Sequence, residues 1–198
     1  MPRKSLSILL TISLFMLISC KQDFSGEQGM LKALEIHQGL LTVDSHTDTP
    51  LRFFLSGTNL GLRGDSRRGG GKLDFPRMEE GGLDGVFFAV FLGQRERTPE
   101  GNEKAKRRTL ILFDSIHAVV ERNSDMVEVA LSSTDLEAIS RKGKKAVYIG
   151  IENAYPVGRD LSLVSRYYDL GARYITLCHT SNNDICDSST DEEGEEHG

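Results

Sequence analysis

The chain has 198 residues, of which 38% are hydrophobic, and its formal net charge is −5. This length suits one domain or slightly more, and the apolar content lies within the globular range. The acidic balance argues against a broad basic surface for nucleic acid. The four cations clustered within residues 104–108 are expected to form the solvated face of a helix.

The first twenty residues resemble a bacterial lipoprotein signal. Two basic residues precede an apolar run from Leu6 to Ile18, which is too short to span a bilayer but suits the core of a signal peptide. The small residue Ser19 comes directly before Cys20, as in a lipobox. The resemblance implies cleavage before Cys20 and acylation of that cysteine. The alternative is a plain secretory signal with an incidental cysteine.

These features predict three segments: a lipoprotein signal peptide at 1–19, a polar tether at 20–29 and a folded segment at 30–198. Loss of the signal peptide would leave 22 bases against 29 acids, a net charge of −7. The protein is then expected in the bacterial cell envelope, anchored to a membrane by lipid on Cys20. An exported compartment would permit a disulfide between Cys178 and Cys186, which the sequence neither requires nor excludes.

Predicted strands and helices alternate along the folded segment. Strands are expected at 40–44, 83–92, 145–152 and 173–179; helices are expected at 30–38, 103–121, 135–141 and between Asp160 and Leu170, with a helical turn near 73–81. A Thr134–Glu137 capping box would begin the helix at 135, and residues 56–72 would form a long loop. Because the strands are apolar on both faces, we expect an α/β fold with about four parallel strands. Sequence motifs for nucleotide cofactors or a serine nucleophile are absent.

Polar side chains lie at the carboxyl ends of these predicted strands. His46 and Asp48 follow the first, Glu152 ends the third and His179 ends the fourth. Parallel α/β folds place their active sites at this edge. Residues two apart on an extended chain point to the same side, so His46 and Asp48 can reach one cavity, and Pro50 would stop the strand.

This combination of side chains favours a metal site. Imidazole and carboxylate ligands suit zinc or a similar divalent ion. A buried carboxylate such as Glu152 is costly unless it is paired, and its two oxygens can bridge two ions. Each signal has a plainer alternative, because His-x-Asp occurs in many polar turns and Glu152 could simply emerge into solvent.

Three blocks of the sequence resemble the membrane dipeptidase family, also called renal dipeptidases, among the metal-dependent amidohydrolases. VDSHTDTP resembles its opening Asp-x-His-x-Asp-x-Pro motif, and LDFPRMEEGGLDGVFFAVFLG resembles its second block. YIGIENAYPVGRDLSLVSRYYDLGARYITLCHTSNNDICDSS resembles its Gly-x-Glu block and the histidine that follows. The likeness runs from about His37 to Ser189 and implies the first half of a (β/α)8 TIM-type barrel.

The resemblance also implies a role for each ligand-type residue. His46 and Asp48 would bind one zinc ion, and Glu152 would bridge it to a second. A metal-bridging hydroxide would attack a dipeptide, including one with a carboxyl-terminal D-residue. His179 would bind this substrate and help to stabilise the tetrahedral intermediate. A homodimer is compatible with the resemblance. Asn153 and Ala154 replace two glycines common in the family, a change expected to alter the shape of the pocket.

The family takes several further residues from later strands: two histidines for the second zinc, an arginine for the substrate carboxylate and an aspartate for proton transfer. A (β/α)8 barrel needs about 250 residues, and His197, in the acidic tail, matches neither missing histidine. We therefore expect an incomplete chain that is poorly stable and inactive alone.

Two other functions stay open. A non-catalytic envelope lipoprotein could use a half-barrel for binding or assembly. Another amidohydrolase-type activity, such as metal-dependent deacetylation, is the second alternative. The Glu152 block argues against it, because many of those relatives use a carboxylated lysine as the bridge.

Overall fold

The computed structural model describes residues 26–192 and 194–197. The predicted signal peptide, Cys20 and residues 21–25 of the tether lie outside the described residues, so the lipid anchor stays a prediction. Within the described ranges, no helix combines the length and the apolar character needed to cross a membrane. The chain divides into two compact units, Met1–Leu40 and Leu41–Gly198.

The first unit contributes one described helix, α1 at Glu27–Gln38, and the second unit alternates strands with helices. The strands are β1 (Val43–Thr47), β2 (Gly85–Phe91), β3 (Val127–Val129), β4 (Lys145–Glu152) and β5 (Ala172–Ile175). The helices of the second unit are α2 (Thr49–Ser56), α3 (Phe75–Gly81), α4 (Pro99–Arg122), α5 (Ser133–Ser140) and α6 (Ser162–Asp169), and a 3-10 turn at Ser66–Arg68 lies in the long loop.

Every strand pair in the described residues is parallel. β1 pairs with β2, and β2 pairs with β4 from Gly85 opposite Ala146 to Phe91 opposite Glu152. On its other side β4 pairs with β3 near its beginning and with β5 near its end. The order at the carboxyl edge is therefore β1-β2-β4-β5, and the four predicted strands all lie side by side there.

Several predicted boundaries are wrong, each for a local reason. The sequence does not predict β3, because three residues are too few to show alternation. α4 begins at Pro99, four residues before the predicted start, since the Thr98 hydroxyl accepts a hydrogen bond from the Gly101 amide at 3.1 Å. The predicted Thr134 cap is also misplaced. The cap of α5 is Ser132, whose amide donates to the Asp135 carboxylate at 2.8 Å.

Side chains alternate between two faces of the sheet. One face packs against helices and forms the main core; its fully buried residues on β2 and β4 are Val86, Phe88, Val90, Val147, Ile149 and Ile151. Phe53 of α2 and Phe113 of α4 belong to the same cluster. Continuous apolar runs are needed in β2 and β4 because both faces of these strands are largely covered, as predicted.

The opposite face has two parts. Towards the amino ends of the strands, Leu136 and Ile139 of α5 pack with Ala146 and Tyr148 of β4 in a second apolar cluster. Towards the carboxyl ends, the same face of β4 continues through Gly150 to Glu152. The apolar cluster therefore covers the amino-terminal end of this face, and the polar side chain of Glu152 lies at its carboxyl-terminal end.

We expect Phe88→Ala to lower the free energy of unfolding by about 3–5 kcal/mol, because Phe88 is fully buried and its ring lies 6.0 Å from that of Phe53. Leu55→Ala, at a side chain on α2 that is 70% exposed, should change it by less than about 0.5 kcal/mol. Urea unfolding of both variants provides the measurement, and equal losses would contradict this description of the core.

Candidate metal centre

His46 lies near the end of β1, with its imidazole directed towards two carboxylates. Its Nε2 is 3.2 Å from Oε2 of Glu152 and 3.7 Å from Oδ1 of Asp48. The His46 amide donates to Asp44 Oδ1 at 3.1 Å, which helps to fix the backbone at this point. The edge of the sheet thus brings together one nitrogen donor and two carboxylates from β1, the following turn and β4.

Asp48 reaches the site from a turn, and not from an extended strand as the spacing predicts. Its backbone angles are φ −80° and ψ 14°, and the next residue begins α2. The Thr47 hydroxyl accepts the Thr49 amide at 3.3 Å, while the carboxylate of Asp48 faces His46. Pro50 stops the strand by occupying the first turn of this unpredicted helix.

Glu152 is the last residue of β4, and its side chain is only 14% exposed. Burial raises the pKa of this carboxyl, and the negative charge of Asp48 raises it further. His46 and His179 oppose this rise. A carboxylate so poorly hydrated gains from a cation, because the same low-dielectric surroundings strengthen its attraction to positive charge.

His179 lies in the loop after β5, since that strand ends at Ile175 and not at His179 as predicted. Its imidazole nevertheless reaches the site, with Nε2 3.2 Å from Oε1 of Glu152. The Phe91 ring packs edge-on against it with centroids 5.0 Å apart. The two histidines therefore contact different oxygens of one carboxylate, His46 on Oε2 and His179 on Oε1.

Asn153 and Asn183, which the site prediction omits, form side-chain hydrogen bonds that support the loop carrying His179. Asn183 is fully buried, and its amide nitrogen donates to the Leu177 carbonyl at 2.6 Å and to Asn153 Oδ1 at 2.9 Å. Its own oxygen accepts the Cys186 amide at 3.1 Å. The sequence gives a weak signal for this arrangement, because asparagine favours loops that bond to their own backbone.

Asn153 holds the backbone directly after Glu152. It is the one described non-glycine residue with positive φ, at 72°, and its side chain is fully buried. Asparagine tolerates this left-handed conformation better than other residues with a side chain. Its Nδ2 donates to the Leu92 carbonyl at 2.9 Å. Asn153 thus adopts a backbone conformation that otherwise favours glycine, and its side-chain amide bonds to the neighbouring loops.

Tyr174 of β5 also belongs to the site, although the sequence prediction misses it. Its hydroxyl lies 2.8 Å from Nδ1 of His46. Burial raises the pKa of this phenol to about 12, and the nearby Glu152 carboxylate adds to the rise. The phenol therefore stays protonated at physiological pH. Tyrosine on a strand is a common packing residue, so nothing in its local sequence distinguishes Tyr174.

Cys178 and Cys186 are free thiols in the structure. The Cys178 thiol donates to the Asp187 carbonyl at 3.3 Å. Burial raises the pKa of the Cys186 thiol to about 11, with a further contribution from Cys178. The disulfide that the sequence leaves open is therefore not formed in this structure.

The donor set fits a divalent metal ion. One ligand atom from each of His46, Asp48 and Glu152 lies within 4.8 Å of the other two. A nitrogen and two carboxylate oxygens suit zinc and related ions, and the poorly hydrated Glu152 supplies a charge that an ion would compensate. His179 lies outside this compact group and contacts Glu152 from the other side.

A parallel α/β sheet with this donor set at its carboxyl edge is typical of metal-dependent enzymes of the α/β class. Residues 30–198 match the family model described as membrane dipeptidase (peptidase family M19). The chain belongs to this membrane dipeptidase family, as its sequence motifs predict.

Individual relatives agree with this assignment. Dipeptidase ataJ of Aspergillus terreus (strain NIH 2624 / FGSC A1156) is 30% identical over 176 residues, which cover 85% of this chain and 42% of that protein. Dipeptidase verJ of Clonostachys rogersoniana is 29% identical over 184 residues, covering 87% of this chain and 46% of that protein. The chain therefore spans less than half the length of these curated relatives.

Solved structures confirm the fold class. The probable dipeptidase PvdM from Pseudomonas aeruginosa has a TM-score of 0.72 at 29% identity, with 82% of this chain and 40% of that chain covered. A metallo peptidase from Rhodobacter sphaeroides, liganded with a phosphinate mimic of L-Ala-D-Ala, has a TM-score of 0.59 at 23% identity, covering 69% and 44% of the two chains. The five-stranded sheet corresponds to part of a TIM-barrel-like dipeptidase.

We expect Glu152→Gln to stabilise the metal-free protein at neutral pH. The folded pKa of Glu152 is raised above its unfolded value of about 4.3. Below the unfolded pKa, the carboxyl group is protonated in both states and costs no stability. As the pH rises through the folded pKa, the group becomes charged in the fold and the free energy of unfolding falls. Glutamine removes this loss, so the advantage of the variant should grow with pH in urea unfolding of chelator-treated protein.

The matched control for this prediction is Glu128→Gln. Contacts with Lys142 and Lys144 lower the pKa of Glu128, so its charged form is the favourable one. This substitution should therefore not stabilise the protein at neutral pH. A gain for Glu152→Gln that is the same at every pH would contradict the role of burial.

We expect Asn153→Ala to lower the free energy of unfolding by about 2–3 kcal/mol, because it removes a buried hydrogen-bonding amide and places alanine at φ 72°. Asn153→Gly loses the same side-chain bonds but tolerates the backbone angle. It should therefore cost about 1 kcal/mol less. Chemical unfolding distinguishes the two variants, and identical losses would show that the positive φ is of no energetic consequence.

Proposed function

We propose that the protein is a zinc-dependent dipeptidase whose substrates include dipeptides with a carboxyl-terminal D-residue. The observation that carries the proposal is the convergence of His46, Asp48 and Glu152 donor atoms within 4.8 Å. Membership of the membrane dipeptidase family supports the reaction class. Because the chain spans less than half the length of its relatives, the substrate range of the whole protein also belongs to the proposal.

His46, Asp48 and Glu152 would hold the first zinc ion, and Glu152 would also help to hold a second. When bound, the ions supply Lewis acidity and lower the pKa of water enough for it to attack an amide carbonyl near neutral pH. The protein's part is to hold these three ligands close together, with Glu152 poorly hydrated, before the substrate arrives.

His179 is proposed to act on the substrate. Its Nε2 contacts Glu152 at 3.2 Å, and its side chain is 42% exposed, so a molecule at the sheet edge can reach it. With metal held at Glu152, the His179 imidazole would be available to donate a hydrogen bond to the oxygen of the scissile amide. That donation would stabilise the negative charge that develops on this oxygen in the transition state. The Phe91 ring packs edge-on against this imidazole.

The choice of substrate follows from the family. Curated relatives are named dipeptidases, and one fold neighbour was crystallised with a phosphinate mimic of L-Ala-D-Ala. We therefore take L-Ala-D-Ala as the first test substrate for this protein and L-Ala-L-Ala as its stereochemical comparison.

The location of the protein belongs to the same proposal. The lipobox-like sequence before Cys20 supports export and acylation, which would place the enzyme in the bacterial cell envelope. A homodimer completes the proposed assembly. Metabolic labelling with a fatty acid, lost on Cys20→Ala, tests the anchor, and sedimentation tests the dimer.

We expect the full-length protein to release alanine from L-Ala-D-Ala and to lose this activity on treatment with a zinc chelator. His46→Ala and Glu152→Ala should each lower kcat/KM by at least about a hundredfold, because even outer-shell changes at metal sites cost 10- to 100-fold. Metal analysis should give about two zinc ions per chain in the wild type.

The control is His117→Gln. His117 bonds to the Leu170 carbonyl at 2.9 Å and lies outside the proposed site, so its loss should leave kcat/KM close to the wild-type value. Hydrolysis that survives both His46→Ala and Glu152→Ala would reject the proposed site. Zinc binding without hydrolysis of any dipeptide would favour the non-catalytic lipoprotein.

A further inference from the structure

Tyr174 makes a contact with the candidate metal centre that its role in packing does not require. Its hydroxyl oxygen lies 2.8 Å from Nδ1 of His46. The other ring nitrogen, Nε2, faces the carboxylates of Glu152 and Asp48. The two nitrogens of His46 therefore have separate partners, a phenol on one side and the proposed metal position on the other.

The sheet is built so that the Tyr174 ring can make this contact. β5 lies beside β4, and the ring rests on Gly150, where an added Cβ would come within about 2.1 Å of the ring atoms. The residue opposite Gly150 on β2 is the small Ala89. The Phe87 ring packs against the Tyr174 ring, with centroids 5.4 Å apart. Two small residues side by side thus make room for the Tyr174–His46 pair.

The proton on His46 follows from this arrangement. A neutral imidazole carries one proton, and a nitrogen that binds metal must be without it. If Nε2 binds a metal ion, Nδ1 must carry the proton and would donate it to the Tyr174 oxygen. Metal-binding histidines are commonly oriented by such a bond from their second nitrogen.

We propose that Tyr174 is a positioning residue for the metal centre: its hydroxyl accepts the Nδ1 proton of His46 and so presents Nε2 to the ion. This inference rests on the proposed function, because it requires a metal at Nε2. Tyr174 itself touches neither metal nor substrate, and its effect is exerted through His46.

The test is zinc affinity of the full-length protein, measured by competition with a chromophoric chelator. Tyr174→Phe keeps the ring and removes the hydroxyl, and we expect the dissociation constant for zinc to rise about 10- to 100-fold. The loss of dipeptide hydrolysis should be recovered when zinc is raised in proportion, which a merely structural defect would not allow. Nitrogen-15 spectra of histidine in the zinc-loaded protein should place the proton of His46 on Nδ1 in the wild type.

Tyr148→Phe is the matched control. Tyr148 lies on the same face of β4, its ring stacks on Phe87 at 4.6 Å, and its hydroxyl donates to the Ser132 carbonyl at 3.0 Å. Its loss should leave zinc affinity unchanged. Gly150→Ala provides a second variant, because it displaces the Tyr174 ring while leaving the tyrosine in place, and it should weaken zinc binding in the same way.

The outcomes separate this inference from the proposed function. Wild-type zinc affinity in Tyr174→Phe would overturn the inference and leave the dipeptidase proposal standing. If Tyr148→Phe weakened zinc binding equally, the inference would also be overturned, since the effect would then not be specific to the Tyr174 hydroxyl. A wild-type protein that binds no zinc would overturn both.

Discussion

The carboxylate of Glu152 is the constraint on which the site depends. It ends a strand whose preceding residues are buried, and only 14% of its side chain is exposed. Burial makes its charged form unfavourable, while His46 and His179 each contact one of its oxygens at 3.2 Å. Such a group is stable in its charged form only beside positive charge. A metal ion satisfies this requirement and at the same time explains why Asp48, another negative group, lies nearby.

Several unusual features of the backbone and packing lie beside this carboxylate. Asn153, directly after Glu152, has a positive φ although it is not glycine. The small residues Ala89 on β2 and Gly150 on β4 leave space on the sheet face that carries Glu152. Asn183 links the strand end to the loop that carries His179. These features lie within a few residues of the candidate ligands, where conformational strain and unusual packing are most often functional.

The sequence predicts the sheet well because its signal is strong and local. β2 and β4 are long, apolar on both faces and bounded by turns, and the four predicted strands are present in parallel register. The three-residue β3 escapes prediction, and so does α2, whose start at a proline-containing turn resembles a simple strand end. Family membership is equally accessible, since the motifs that carry it are contiguous.

The details of the site depend on tertiary contacts and are therefore harder to predict. Asp48 reaches His46 from a turn, which alternation along a strand does not describe. His179 lies four residues beyond the end of β5, and its position depends on buried asparagine side chains. Tyr174 is 128 residues from His46 in sequence, and nothing near it reveals the contact. Residue types at strand ends thus indicate a site, whereas their mutual geometry requires the folded chain.

Anomalous diffraction at the zinc edge, from crystals of the full-length protein grown with zinc, would show directly whether a metal ion binds at Glu152. We expect an anomalous peak from a zinc ion about 2.0–2.2 Å from His46 Nε2 and from carboxylate oxygens of Asp48 and Glu152. A second peak would lie about 3.5–4 Å away, also beside Glu152. Zinc bound instead at the Cys178 and Cys186 thiols, with no zinc beside Glu152, would contradict a metal centre at His46, Asp48 and Glu152.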